Sequence, residues 1–203
     1  MQRPSLRGLL ALALLLFIWC ETSHADPLLP YTFWGGAPPS NHPPVYPKAI
    51  AFRFKTPNRL VYQRLDHIRV QNFRGDLETA VYELGKTGQL LFSFKVTNRS
   101  GPGVVLEQLG FDLPKLGTAA MDIGYIGNAP GDVAPVWATR SGNGQRFVFS
   151  YDPAVKAVTP GRSTRITYFT VTSPRPVPGG KINIRAAEPG LFYGTEVNFP
   201  QPQ

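Results

Sequence analysis

Cysteine is almost missing from this chain, and the single one present, Cys20, falls in a segment that reads as a removable leader. Arg3 and Arg7 give that segment a positive start, and Leu9 to Trp19 is an unbroken apolar run. Glu21-Thr22-Ser23-His24-Ala25 then supplies small residues where a signal peptidase reads them. The run is shorter than the roughly 20 residues that a membrane-crossing helix needs, so cleavage after Ala25 is the expectation rather than an anchor. Cleavage removes 25 of 203 residues, with Arg3, Arg7, Glu21 and Cys20 among them, which leaves 178 residues and a net charge of +7. The expected location is secreted or periplasmic, with no transmembrane segment after the cut. A chain without cysteine is excluded from disulfide scaffolds, thiol catalysis and thiolate metal sites. At this length it can bury enough surface to fold without staples.

Histidine and carboxylate are scarce too. Of three histidines only His42 and His67 lie beyond the leader, and the whole chain has thirteen Asp and Glu. No Gly-x-Ser-x-Gly elbow is present for a serine nucleophile. His67 and Asp66 are sequence neighbours, but adjacent strand residues point to opposite faces, so they do not make a dyad. No catalytic residue, metal site or cofactor is expected. Asp122, Asn128 and Asp132 are the only loop cluster with oxygen-ligand character, and turn formation explains them as well. Arg and Lys are scattered singly, which together with export argues against nucleic acid and for acidic envelope polymers or anionic lipid headgroups. Arg64, Arg69 and Arg74 recur every five residues, which matches no helix face and a strand face only loosely.

Proline, glycine and aromatic residues are plentiful: 21 Pro, 20 Gly and 12% Phe, Trp and Tyr. Seven prolines fall between residues 26 and 47, marking an extended arm, since proline fixes φ and removes a backbone donor. Residues 48–203 read as one domain of short strands. Leu90, Phe92, Phe94 and Val96 alternate with Ser93, Lys95 and Thr97, and the run His67 to Phe73 also alternates. Leu77 to Leu84 is compatible with helix or strand. Further strands are expected at Val104–Leu113, Met121–Ile126, Val133–Thr139, Arg146–Tyr151, Arg162–Thr172, Lys181–Ala186 and Leu191–Phe199. Turn clusters such as Ser141-Gly142-Asn143-Gly144 and Pro178-Gly179-Gly180 separate them. This spacing predicts an all-β antiparallel sandwich, jelly-roll or Ig-like, with an extended N-terminal arm.

Between residues 88 and 172 the run Phe92-Ser93-Phe94-Lys95-Val96-Thr97-Asn98-Arg99-Ser100-Gly101, followed by Leu109-Gly110-Phe111-Asp112-Leu113-Pro114, resembles β-sandwich domains of exported bacterial PEP-CTERM proteins. Thr159-Pro160-Gly161-Arg162-Ser163 before an alternating strand fits the same style. Phe199-Pro200-Gln201-Pro202-Gln203 is not a sorting tail, so surface anchoring by that route is not expected. The resemblance implies a sandwich fold and no particular activity.

Trp34, Tyr125, Trp137 and Tyr151 are the candidate ligand-binding residues, because exposed rings near loop–strand junctions make stacking platforms; core packing is the alternative for each. Asn98-Arg99-Ser100 is a glycosylation sequon or simply a turn. The expected function is a non-enzymatic exported sandwich that binds an envelope polysaccharide or protein partner, or has a structural role. The alternative is a carbohydrate-binding module or a weak carboxylate-based glycan hydrolase.

Overall fold

Apolar and polar side chains alternate along much of the sequence, and among the described residues of the computed structural model every regular element is accordingly a strand. The structure describes residues 26–27, 49–50, 58–85, 88–126, 132–151 and 157–203. The strands are β1 (Asp26–Pro27), β2 (Ala49–Ile50), β3 (Asn58–Val70), β4 (Phe73–Leu84), β5 (Gln89–Asn98), β6 (Val105–Asp112), β7 (Met121–Ile126), β8 (Trp137–Arg140), β9 (Arg146–Ser150), β10 (Ile166–Thr172), β11 (Pro176–Glu188) and β12 (Leu191–Pro202). They form two sheets. One runs β1-β7-β10-β5-β4-β3, with β2 also on β7, and the other runs β12-β11-β6-β9-β8. All pairs are antiparallel except β2 with β7. The chain changes sheet between β5 and β6, β6 and β7, β7 and β8, β9 and β10, and β10 and β11. Among the described residues no helix is long and apolar enough to cross a membrane.

The sheets meet through phenylalanine. Phe92, Phe94 and Phe169 from one sheet interleave with Phe111, Phe147 and Phe199 from the other, all 4% exposed or less. Phe94 and Phe111 close the gap between sheets with centroids 4.6 Å apart, and Phe147 meets Phe169 edge-on at 5.1 Å. Such tilted and edge-on contacts suit the ring quadrupole and add to the burial of apolar area. A register shift between Arg185 and Ala186, opposite Glu107, lets both Leu106 and Leu109 face the core at a spacing that a regular strand would split between faces.

Leu77–Leu84 is strand, with buried and accessible positions alternating along β4. The run His67–Phe73 is not one strand, as its alternation suggests, but two. Gln71 and Asn72 turn the chain back, and Val70 pairs with Phe73. Gln71 takes φ 49°, the sign that primed hairpin turns require, without the glycine that usually advertises such a turn. β11 and β12 extend further than expected, through Pro176, Pro178, Pro200 and Pro202. Those prolines lie beyond the stretch of β11 that pairs with β6, next to a register shift between Val177 and Gly180, where a missing donor does little harm. Of the proline-rich arm, Asp26–Pro27 pairs with Asp122–Ile123 of β7; Ala49–Ile50, just beyond the arm, pairs with Tyr125–Ile126 of that strand. The rest of the arm and the leader lie outside the described residues.

Candidate functional site

Strand register builds a groove on the outer face of the five-stranded sheet. Alternation brings Glu196, Asn183, Gly110, Val148 and Thr139 into one row across β12, β11, β6, β9 and β8. The next row is Gly194, Arg185, Gln108, Ser150 and Trp137. Gly110 and Gly194 contribute no side chain, so the surface sinks between their neighbours into a groove of about 910 Å³. A Cβ on Gly194 would meet nothing within 4 Å, which places that position over open space. Asn183, Gln108 and Arg185 stand along the depression, offering amide donors and acceptors and a planar guanidinium. Phe192 closes one side. It is 65% exposed, with the Arg185 guanidinium carbon 4.5 Å from its ring centroid.

The carboxylates bordering this face are each held by a cation. Glu196 accepts from Lys181 at 2.9 Å, Glu107 faces Arg185 at 3.4 Å and Asp112 faces Arg146 at 3.1 Å. The hydrogen bond to Glu196 raises the Lys181 ammonium above its ordinary pKa. A carboxyl that is to act as a general acid needs the opposite surroundings, an apolar wall or a like charge that keeps its proton on.

The four aromatic candidates are not brought together. Trp137 is half-buried at the β8 end of the second row, beyond Ser150, and does not line the groove. Tyr125 lies on β7 in the other sheet, its ring 5.2 Å from the Arg165 guanidinium carbon. Tyr151 is a core residue, 1% exposed, and burial pushes its phenol pKa up. It is therefore not an exposed platform. Trp34 lies outside the described residues, as does Asn128 of the oxygen-ligand cluster. Asp122 sits within β7, and Asp132 pairs with Lys95 at 3.2 Å. Among the described residues no three His, Cys, Asp or Glu side chains are grouped so as to hold a metal ion.

The sequon is closed to a glycan. Asn98 is fully buried, its Nδ2 donating to the carbonyls of Val104 and Val158 at 2.9 and 2.8 Å, while its Oδ1 accepts from the Ser100 N–H. A second polar cluster lies on the seven-stranded sheet. His67 Nδ1 is 2.8 Å from Asp76, its cross-strand partner, and Arg99 donates to the same carboxylate at 2.6 Å. These two hydrogen bonds, the one from His67 foremost, hold the Asp76 carboxyl below its usual pKa. Asp66, the neighbour in sequence, bonds Arg64 instead. Sequence reasoning missed Asn183, Arg185, Gln108 and Phe192. The signal that points to them is glycine within strands, at Gly110 and Gly194, which often marks a site where a ligand approaches closely. No protein-family model matches this chain, and no curated protein matches it.

Proposed function

We propose that this chain is an exported, non-enzymatic binding domain of the periplasm or extracellular space, and that its groove takes a strand of an envelope polysaccharide. The carrying observation is the glycine-floored depression across β6, β9, β11 and β12, edged by Asn183, Gln108 and Arg185 and closed on one side by Phe192. Sugars present hydroxyls around their rims and flat C–H faces, which suit amides and a guanidinium along a groove and an aromatic ring at its margin. A net charge of +7 without the leader favours a polymer carrying acidic groups. The hydrolase alternative lacks comparable support, because the carboxylates beside the groove are tied to cations.

Gly194→Leu tests this reading. The position has ordinary strand geometry and open space above it, so the new side chain fills the groove without disturbing the fold. Wild-type protein is expected to co-sediment with peptidoglycan or bind acidic glycans on an array, and Gly194→Leu to lose at least tenfold in affinity at unchanged melting temperature. Equal binding by both proteins, or a flat array with no polymer retained, would overturn it.

A further inference from the structure

We infer that the end of the sandwich carrying the β3–β4 and β11–β12 turns is a docking surface for an anionic lipid membrane. The two hairpin tips, one from each sheet, are tied together there. Asn72 Nδ2 donates to Glu188 at 2.9 Å and lies 3.2 Å from the Tyr193 hydroxyl, which itself donates to Glu188. At the tip of the second hairpin, after Pro189-Gly190, come Leu191 and Phe192, 54% and 65% exposed. Consecutive strand residues point to opposite faces, so this ribbon carries a large apolar side chain on each side.

The first tip, joined to the second through Asn72, carries a like-charge pair on the outer face of its own sheet. Arg69 and Arg74 are cross-strand partners and both are exposed. Neither guanidinium is in an ion pair among the described residues. Like charges directly opposite each other weaken a hairpin, a cost that an anion shared between them removes. The five-residue spacing that fits no regular face is therefore the mark of a two-residue turn between two arginines. The combination selects the partner's chemistry. An acidic polymer satisfies the arginines and leaves Leu191 in water, whereas an anionic lipid surface takes the arginines at its headgroups and the apolar pair at the acyl boundary.

The surface is distinct from the polysaccharide groove except at Phe192, which borders both, so the test uses other positions. Purified protein is mixed with phosphatidylcholine vesicles, with and without roughly one third phosphatidylglycerol, near physiological salt. Binding is expected only to the anionic vesicles, weakening as salt rises. Arg69→Gln and Arg74→Gln are each expected to reduce it about fivefold, and Leu191→Ser by a similar factor. Leu191→Trp supplies a positive readout, an indole emission shifted to the blue by anionic vesicles alone. Gly194→Leu, which blocks the groove, is expected to bind vesicles as wild type does, so failure of one reading is separable from failure of the other. Absence of vesicle binding, equal binding to neutral vesicles, or retention by a soluble acidic polymer undiminished in Leu191→Ser would each overturn the proposal.

Discussion

Asn98 holds more of this molecule together than its size suggests. Its side chain bonds the carbonyls of Val104 and Val158, its backbone N–H donates to Arg162 and its carbonyl accepts from Gly161. The residue thus joins the end of β5 to the segments leading into β6 and β10. Removing the amide leaves the Val104 carbonyl and the Ser100 N–H without their partner, while the Val158 carbonyl keeps the Leu106 N–H, and each buried orphan costs about 1–3 kcal/mol. Asn98→Ala is expected to lose about 3 kcal/mol of unfolding free energy, read from a shifted denaturant midpoint at constant slope. Asn98→Asp is expected to be no better, because a carboxylate has no proton to give either carbonyl. From sequence the position reads as a turn or a sequon, since both call for a small polar side chain. Only burial separates them. Tyr151 has the same ambiguity, because a ring at a strand end looks alike whether it points into the core or out.

Among elements, those with strong alternation were the most legible. β7 spans the expected Met121–Ile126, and β5 buries the expected set of Leu90, Phe92, Phe94 and Val96. The β3–β4 hairpin was hidden because its turn is built from Gln71 and Asn72, and its strands continue the alternation on either side. With that turn unseen, the pairing of His67 with Asp76 and of Arg69 with Arg74 was out of reach. A glutamine at φ 49° pays a steric penalty of about 1–2 kcal/mol, which glycine avoids at an entropic cost of somewhat less. Gln71→Gly is therefore expected to stabilise the protein by about 0.5 kcal/mol, a rise of roughly one to two degrees in melting temperature by calorimetry. A loss of stability would show instead that the Gln71 side chain contributes more than its backbone costs.

For the whole molecule, the two sheets are expected to unfold as one cooperative unit, because the rings between them belong to neither alone. Phe111 has Phe94 and Phe169 of the opposite sheet with centroids at 4.6 and 6.2 Å, and Phe147, Phe149 and Phe199 of its own at 4.5, 6.0 and 6.1 Å. Removing this ring opens a cavity that both sheets line, and neither can collapse into it without losing register with the other. Phe111→Ala is expected to cost about 3–5 kcal/mol, the range for a large core aromatic. Phe192→Ala, at an exposed ring of the same residue type, is expected to cost less than about 1 kcal/mol. That contrast follows from strand phase alone, inward at Phe111 and outward at Phe192. Cooperativity makes a further demand on the same variant. If the phenylalanines couple the sheets, Trp137 fluorescence, read in a Trp34→Phe background of the chain without its leader so that it reports on the five-stranded sheet, and far-ultraviolet circular dichroism, which reports on both, still lose signal at one shared midpoint in Phe111→Ala. Two separated midpoints would mean that each sheet persists by itself, and that the interface adds stability without joining them into a single folding unit.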